Sequence, residues 1–394
     1  MRFASFRKVT LLMSRERIER RDKLALVYFV LIVFLMCFLQ YMQYYDVNSK
    51  AIKNIVVLLI CFESLYAAIT KYRYMLIDKK CFSIILFLLY AVFSEIITNT
   101  FTIENLYYLS VPFLTIIGGY SFAESYSKMK IKMIVKVTAL IVFCGLTFLF
   151  LVNFHVLGFL NAGVQTSLVY PLMFFVLIAC YYSDNIVMLC AIPMLYAGFL
   201  LMSRTTILLV LAVMLIKIFR SENNMHSIVK KIFILLIFIV ALVYIYNYVL
   251  KDSGSDILKK TTLRNSDISS GRFNIYGNSI GYFFNSSAIR MILGNGSETA
   301  SRLFGISGHS DFIQFLLNFG IIGLVWFTNI QIFCINGARK NGLETIKYIE
   351  FAVLLTFITI NQFFLTVGPS TLYGLLLGMF AGTQSEYSEE IHGD

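Results

Sequence analysis

Stretches of about 20 apolar residues follow one another along most of this chain, separated by short polar or basic joints. They lie near 24–44, 54–70, 81–101, 105–123, 133–154, 164–183, 185–202, 204–219, 230–250, 311–335, 346–366 and 368–383. Each approaches the length a helix needs to cross a bilayer. Only 14% of the residues are charged, against 58% hydrophobic, whereas roughly a quarter of a soluble domain is charged. A core of the chain's own cannot hide that much apolar surface, so lipid is the expected solvent. The runs are continuous rather than alternating, which excludes a barrel. The expectation is an all-α, polytopic membrane helix bundle of about twelve transmembrane helices with a large, partly helical extracytoplasmic loop.

Orientation follows from lysine and arginine in the short joints. Residues 1–23 form a basic tail, read as cytoplasmic rather than as a cleavable signal. Alternate joints are basic: Lys71, Arg73, Lys79 and Lys80; Lys128, Lys130 and Lys132; Lys217, Arg220, Lys230 and Lys231; Arg339, Lys340 and Lys347. The intervening short joints carry almost no basic charge. The alternation predicts an even number of crossings with both ends in the cytoplasm. Residues 24–250 then hold helices 1–9, residues 310–383 hold helices 10–12, and 384–394 are a cytoplasmic tail. The net charge of +11 is thereby explained by topology, and nucleic acid is excluded as a partner. The seven cysteines, Cys37, Cys61, Cys81, Cys144, Cys180, Cys190 and Cys334, sit in or beside apolar runs and form no CxxC pair. That pattern predicts buried small hydrophobes, not a disulfide framework or a zinc site.

Residues 251–309 break the rhythm. They are hydrophilic, the count puts them outside, and they are too long for an ordinary connector. Phe273, Tyr276, Ile280, Phe283 and Phe284 recur at helical spacing within them. This predicts an amphipathic helix lying on the membrane or the bundle. The sequons at Asn285 and Asn295 carry no weight.

Ionisable residues in or beside the apolar runs are the first suspects for chemistry. Arg204 follows Ser203 between two runs and is either an anion ligand or a snorkelling arginine. Arg272 follows Ser269, Ser270 and Gly271 and would occupy a first helical turn, where the dipole disfavours a cation. It is either held for an anion or solvated. His309 precedes Ser310, which reads as an N-cap. The positive helix end disfavours imidazolium there and suits a general base, while the plainer reading is an interfacial histidine. Asp311, Gln314 and Asn318 share one helix face, as cavity lining or as interhelical glue, with Asp311 close enough to the interface to be solvated. Glu63 and Glu95 lie in early runs, either facing a cavity or pairing with a basic residue. No Walker loop, HExxH, paired aspartates or GxSxG is present, so neither ATP coupling nor a catalytic metal is expected.

Several of these pieces stand in a familiar order. Ser203-Arg204 ends a run; Arg272, Phe273 and Tyr276 open the loop helix; Ile292-Leu293-Gly294-Asn295-Gly296, Gly308-His309-Ser310-Asp311-Phe312 and Phe319-Gly320-Ile321-Ile322-Gly323-Leu324 follow. The set, over roughly 200–325, resembles the O-antigen ligase and polymerase superfamily, which includes the Wzy-type polysaccharide polymerases. The resemblance implies a bacterial inner-membrane glycosyltransferase. Its donor and acceptor would be polyprenyl-diphosphate-linked oligosaccharides for an O-antigen, capsule or exopolysaccharide, and transfer would be inverting, without metal or cofactor. Residues 251–309 would be the catalytic loop, with Arg204 and Arg272 on the diphosphate and His309 as the base. Glu95, Tyr276 and Asp311 would be accessory, and a chain-length regulator and a flippase would be partners. Two positions depart from the family pattern: Ser310 stands where asparagine is usual, and Tyr276 where tryptophan is common. Ligase-type transfer of a finished glycan and lipid-linked-sugar transport remain the alternatives.

Overall fold

The computed structural model describes residues 47–71, 79–124, 128–157, 169–200, 204–221, 272–305, 310–340 and 367–382, with scattered positions between 31 and 38 and between 229 and 240. All regular structure among the described residues is helical, as the apolar runs require. The helices are α1 (Val47–Lys71), α2 (Lys79–Ile97), α3 (Ile103–Glu124), α4 (Lys128–Leu157), α5 (Val169–Tyr181), α6 (Asp184–Leu200) and α7 (Arg204–Ser221). They continue with α8 (Arg272–Asn285), α9 (Ala288–Leu293), α10 (Thr299–Phe304), α11 (Asp311–Lys340) and α12 (Val367–Gly382). Helices α1 to α7, α11 and α12 fall on apolar runs read from the sequence. The runs at 24–44, 230–250 and 346–366 lie outside the described residues, apart from the scattered positions. Within α11, Asp311–Gly337 is long and apolar enough to cross a membrane, and the other apolar stretches are shorter. A bundle of twelve crossings is more than the described helices display by themselves.

Two groups of helices make the body. In the first, α12 lies along α3. Gly374, Gly378 and Gly382 recur every fourth residue on α12, and a Cβ on them would strike Pro112 O, Ile116 O and Tyr120 O of α3. Gly119 of α3 meets Leu375 O in return. Such close backbone approach is how small residues hold helices together in lipid, where burial gives no hydrophobic drive. In the second group α5 is enclosed by α4, α6 and α7, and its residues Tyr170 to Ala179 are all buried. At one end of this group Lys217 Nζ lies 3.4 Å from Asp184 and donates to Tyr182 O at 3.3 Å. Tyr182 Oη donates to Lys136 O at 3.1 Å, with Lys136 Nζ 4.6 Å above its ring. Cys61, Cys190 and Cys334 are buried among the apolar side chains, and no disulfide joins the cysteines Cys61, Cys144, Cys180, Cys190 and Cys334.

The 311–335 run does not form one straight rod. Gly320 has φ 67° and ψ −167°, outside any helix. Phe315 and Phe327 would stand about 18 Å apart along a straight helix, yet their rings stack with centroids 4.1 Å apart. Phe312 and Phe327 are 5.6 Å apart. The segment 311–319 therefore folds back toward 321–340. Hydropathy cannot report this turn, because both sides of it are apolar.

Candidate functional site

The fold-back at Gly320 strips three carbonyls of helical partners, and two other segments claim them. Asn295 N donates to Leu317 O at 2.9 Å and Gly296 N to Asn318 O at 3.0 Å. Tyr90 Oη, from α2, donates to Phe319 O at 2.8 Å. It also reaches Ile292 O and Leu293 O, each at 3.3 Å, and Ser94 Oγ donates to Leu293 O at 2.7 Å. Gly294 (φ 92°) and Gly320 (φ 67°) make the interlock possible. A side chain on Gly294 would collide with Asn318 O, and one on Gly320 with Ile292 O. Both also sit in the left-handed region that L side chains resist.

Beneath this interlock lies a buried polar network. Glu95 is 1% exposed, and its Oε1 accepts from Ser297 Oγ, while Oε2 has no hydrogen-bond partner among the described residues. Asn318 Oδ1 accepts from Thr299 N at 3.3 Å, and Asn318 Nδ2 faces Gln314 Oε1 at 3.5 Å. Thr299 Oγ1 donates to Gly296 O at 2.6 Å and so closes the 296–299 turn. Gln314, Asn318 and Ser297 also line a cleft of about 300 Å³ whose other walls include Glu104, Asn105 and Tyr108 at the start of α3. Carboxylate, amide, hydroxyl and aromatic groups around a space of that size suit a sugar ring, which offers hydroxyls to the polar groups and an apolar face to the tyrosine. Behind the network, Phe87 of α2 meets Phe113, Phe315, Phe319 and Trp326, and this aromatic wedge fixes the floor of the site.

The residues expected from the sequence fare differently. Ser310 caps α11, accepting from Ile313 N at 3.4 Å. Gln314 and Asn318 both line the cleft, and Asn318 also ties its helix to the loop by accepting from Thr299 N. Asp311 is fully buried, not solvated, because the fold-back carries the first turn of α11 inward. Glu95 pairs with a serine of the loop, and among the described residues no lysine or arginine reaches it. Tyr276 is partly buried on α8. The expected amphipathic helix forms, but its buried face is Ile275, Ser279 and Phe283, whereas Ile280 and Phe284 are exposed. Phe283 packs with Ala300 and Leu317 in a small core under the loop. His309 lies outside the described residues. Arg204 and Arg272 open α7 and α8, and their side chains lie outside the described part, as does that of Glu63. Ser297, Thr299, Tyr90 and Ser94 were not singled out by the sequence. The signal that could have found the first two is the Gly-Asn-Gly turn immediately before them. No known protein family matches the chain, and no curated protein does.

Proposed function

We propose that the chain is a membrane glycosyltransferase that polymerises polyprenyl-diphosphate-linked oligosaccharide repeat units into a surface polysaccharide. The observation that carries this reading is the interlock itself. The sequence pieces of the resemblance, 292–296 and 319–320, lie against one another, and Ser310 begins the helix arm that lines the same polar cleft. His309 is the residue before Ser310 in the chain. Outward-facing apolar side chains support the membrane placement: Ile55, Leu59 and Phe62 on α1, Leu89 and Phe93 on α2, Phe148 on α4 and Leu189 on α6 are all exposed. A water-soluble protein rarely presents contiguous apolar surface on this scale.

In the proposed reaction an acceptor sugar hydroxyl attacks the anomeric carbon of the donor. The new glycosidic C–O bond forms as the bond to the lipid diphosphate breaks, and the diphosphate leaves with the electron pair. His309 takes the hydroxyl proton. Arg204 and Arg272 hold the departing charge, the kind of electrostatic stabilisation that makes a metal dispensable. The carboxyl of Glu95 sets Ser297 and, through the 296–299 turn, the wall of the sugar cleft. Ligase-type transfer would use the same groups.

The test is elongation by purified protein from a lipid-linked repeat unit, with and without chelator. A ladder of lengthening products that survives chelation, and is abolished in His309→Ala, is the expected result. A single transfer to a different acceptor makes the protein a ligase. One observation favours a second reading, transport of the lipid-linked sugar: helices broken inside the bundle are a device of transporters, and α11 is broken at Gly320. Transport without any new glycosidic bond would overturn the polymerase reading.

A further inference from the structure

The proposed reaction leaves one polar cleft unused. It encloses about 440 Å³ between the end of α8, α9 and the 295–303 segment. Arg290 and Arg302 both line it, and no carboxylate does. Among the described residues neither arginine is ion-paired. Arg302 is anchored through one nitrogen: Nη2 donates to Asn295 O at 2.9 Å and to Ser297 O and Thr299 Oγ1 at 3.1 Å each. Among the described residues its Nε and Nη1 donors have no partner and can meet a ligand. Glu298 precedes Arg302 by four residues, a spacing that pairs opposite charges on a helix, but it lines the neighbouring cleft instead. Asn285 and Ser287 add an amide and a hydroxyl to the same wall. Two unpaired guanidinium groups with neutral donors between them are complementary to a phosphate group.

The other face of the same helices says what carries that phosphate. Ile289 and Ile292, three apart on α9, are 66% and 47% exposed, and Phe284 at the end of α8 is 69% exposed. Ile292 lies against Gly320, and its carbonyl accepts from Tyr90. The backbone of α9 thus lies beside α2 and the bend of α11, whose own exposed apolar residues include Leu89, Phe93, Ile321 and Ile322. Exposed apolar side chains are found on α2, α9 and α11, and the arginines of the cleft stand on α9 and α10, the combination with which arginine commonly meets lipid headgroups.

We propose that Arg290 and Arg302 bind the phosphate of an anionic membrane phospholipid, with Phe284, Ile289 and Ile292 seated at the acyl boundary. The residues proposed here are other than Arg204 and Arg272, to which the diphosphate is assigned, and the inference rests on the membrane placement, not on the polymerase reaction. The test is native mass spectrometry of the full-length protein in detergent with equimolar phosphatidylglycerol and phosphatidylcholine. Wild type should retain phosphatidylglycerol in roughly tenfold preference, and Arg290→Gln with Arg302→Gln should bring the two lipids to parity. If the double variant does not fold, Arg290→Gln alone decides the matter, because that guanidinium makes no bond among the described residues; it should lower the preference several-fold. Equal preference in variant and wild type overturns the proposal. So does tight binding of inorganic pyrophosphate by wild type without lipid retention, which would make the ligand a soluble anion. Release of the protein from membranes by alkaline carbonate overturns the membrane placement and this site together. Lipid retention with no elongation overturns the polymerase reading alone.

Discussion

Glu95 is the residue on which the candidate site turns. A carboxyl removed from water with one oxygen unsatisfied is expensive, and its bond to Ser297 offsets only part of that expense. Ser297→Ala should therefore lower stability by about 1–3 kcal/mol, read as a fall in the unfolding temperature of the purified protein. Adding Glu95→Met should recover part of the loss, because replacing both partners by apolar groups is often nearly neutral. No recovery in the double variant would mean that the carboxyl has a second role in holding the loop. The sequence marked Glu95 as a suspect because a carboxylate within an apolar run is rare. It could not name Ser297 as the partner, since 202 residues separate the two and nothing local links them. The Ser310 cap was legible for the opposite reason, as its whole logic lies within four residues. Arg290 and Arg302 stand twelve residues apart in the loop with no motif to link them, and only the fold brings both to one cleft.

Among the elements, α11 departs furthest from its sequence. Its apolar run continues through Gly320 without a proline or a charge, so every local signal favours one rod. The turn is chosen by tertiary contacts instead: the loop backbone and Tyr90 accommodate the bared carbonyls, and two glycines leave room for them. Gly320→Ala meets both a left-handed backbone, which costs roughly 1–2 kcal/mol, and a collision with Ile292 O. It should lower the unfolding temperature and speed proteolysis within 294–298. Gly277→Ala on α8, where a Cβ meets nothing within 4 Å, should be neutral or slightly stabilising. Helix α8 shows the limit of periodicity: the helix was legible, but five apolar residues spread over two of its faces did not say which face is buried.

For the molecule as a whole, the sequence gives the helices and their order, while the packing that joins them depends on small residues whose meaning appears only in pairs. Gly378→Leu should drive α12 away from α3 at the cost of about 1–3 kcal/mol, whereas Gly145→Ala on α4, where a Cβ meets nothing within 4 Å, should leave the unfolding temperature unchanged or raise it, since alanine favours a helix over glycine by about 1 kcal/mol. The alternation of basic joints makes a separate statement about sidedness. Thr102 and Ser183 are exposed and belong to joints that the alternation puts on opposite sides. Thr102→Cys should react with an impermeant maleimide in intact cells above the parent's background, and Ser183→Cys only after permeabilisation. Labelling of both from outside would undo the topology.

The arm 311–319 rises only about 14 Å and the rod 321–340 about 30 Å, and the three carbonyls at the end of the arm are claimed by the loop and α2. A thinner or thicker bilayer can therefore be met by tilting the rod, while the arm keeps its height with the elements that grip it. Under the proposed membrane placement, the level of the polar cleft would be set by the protein, not by the thickness of the surrounding lipid.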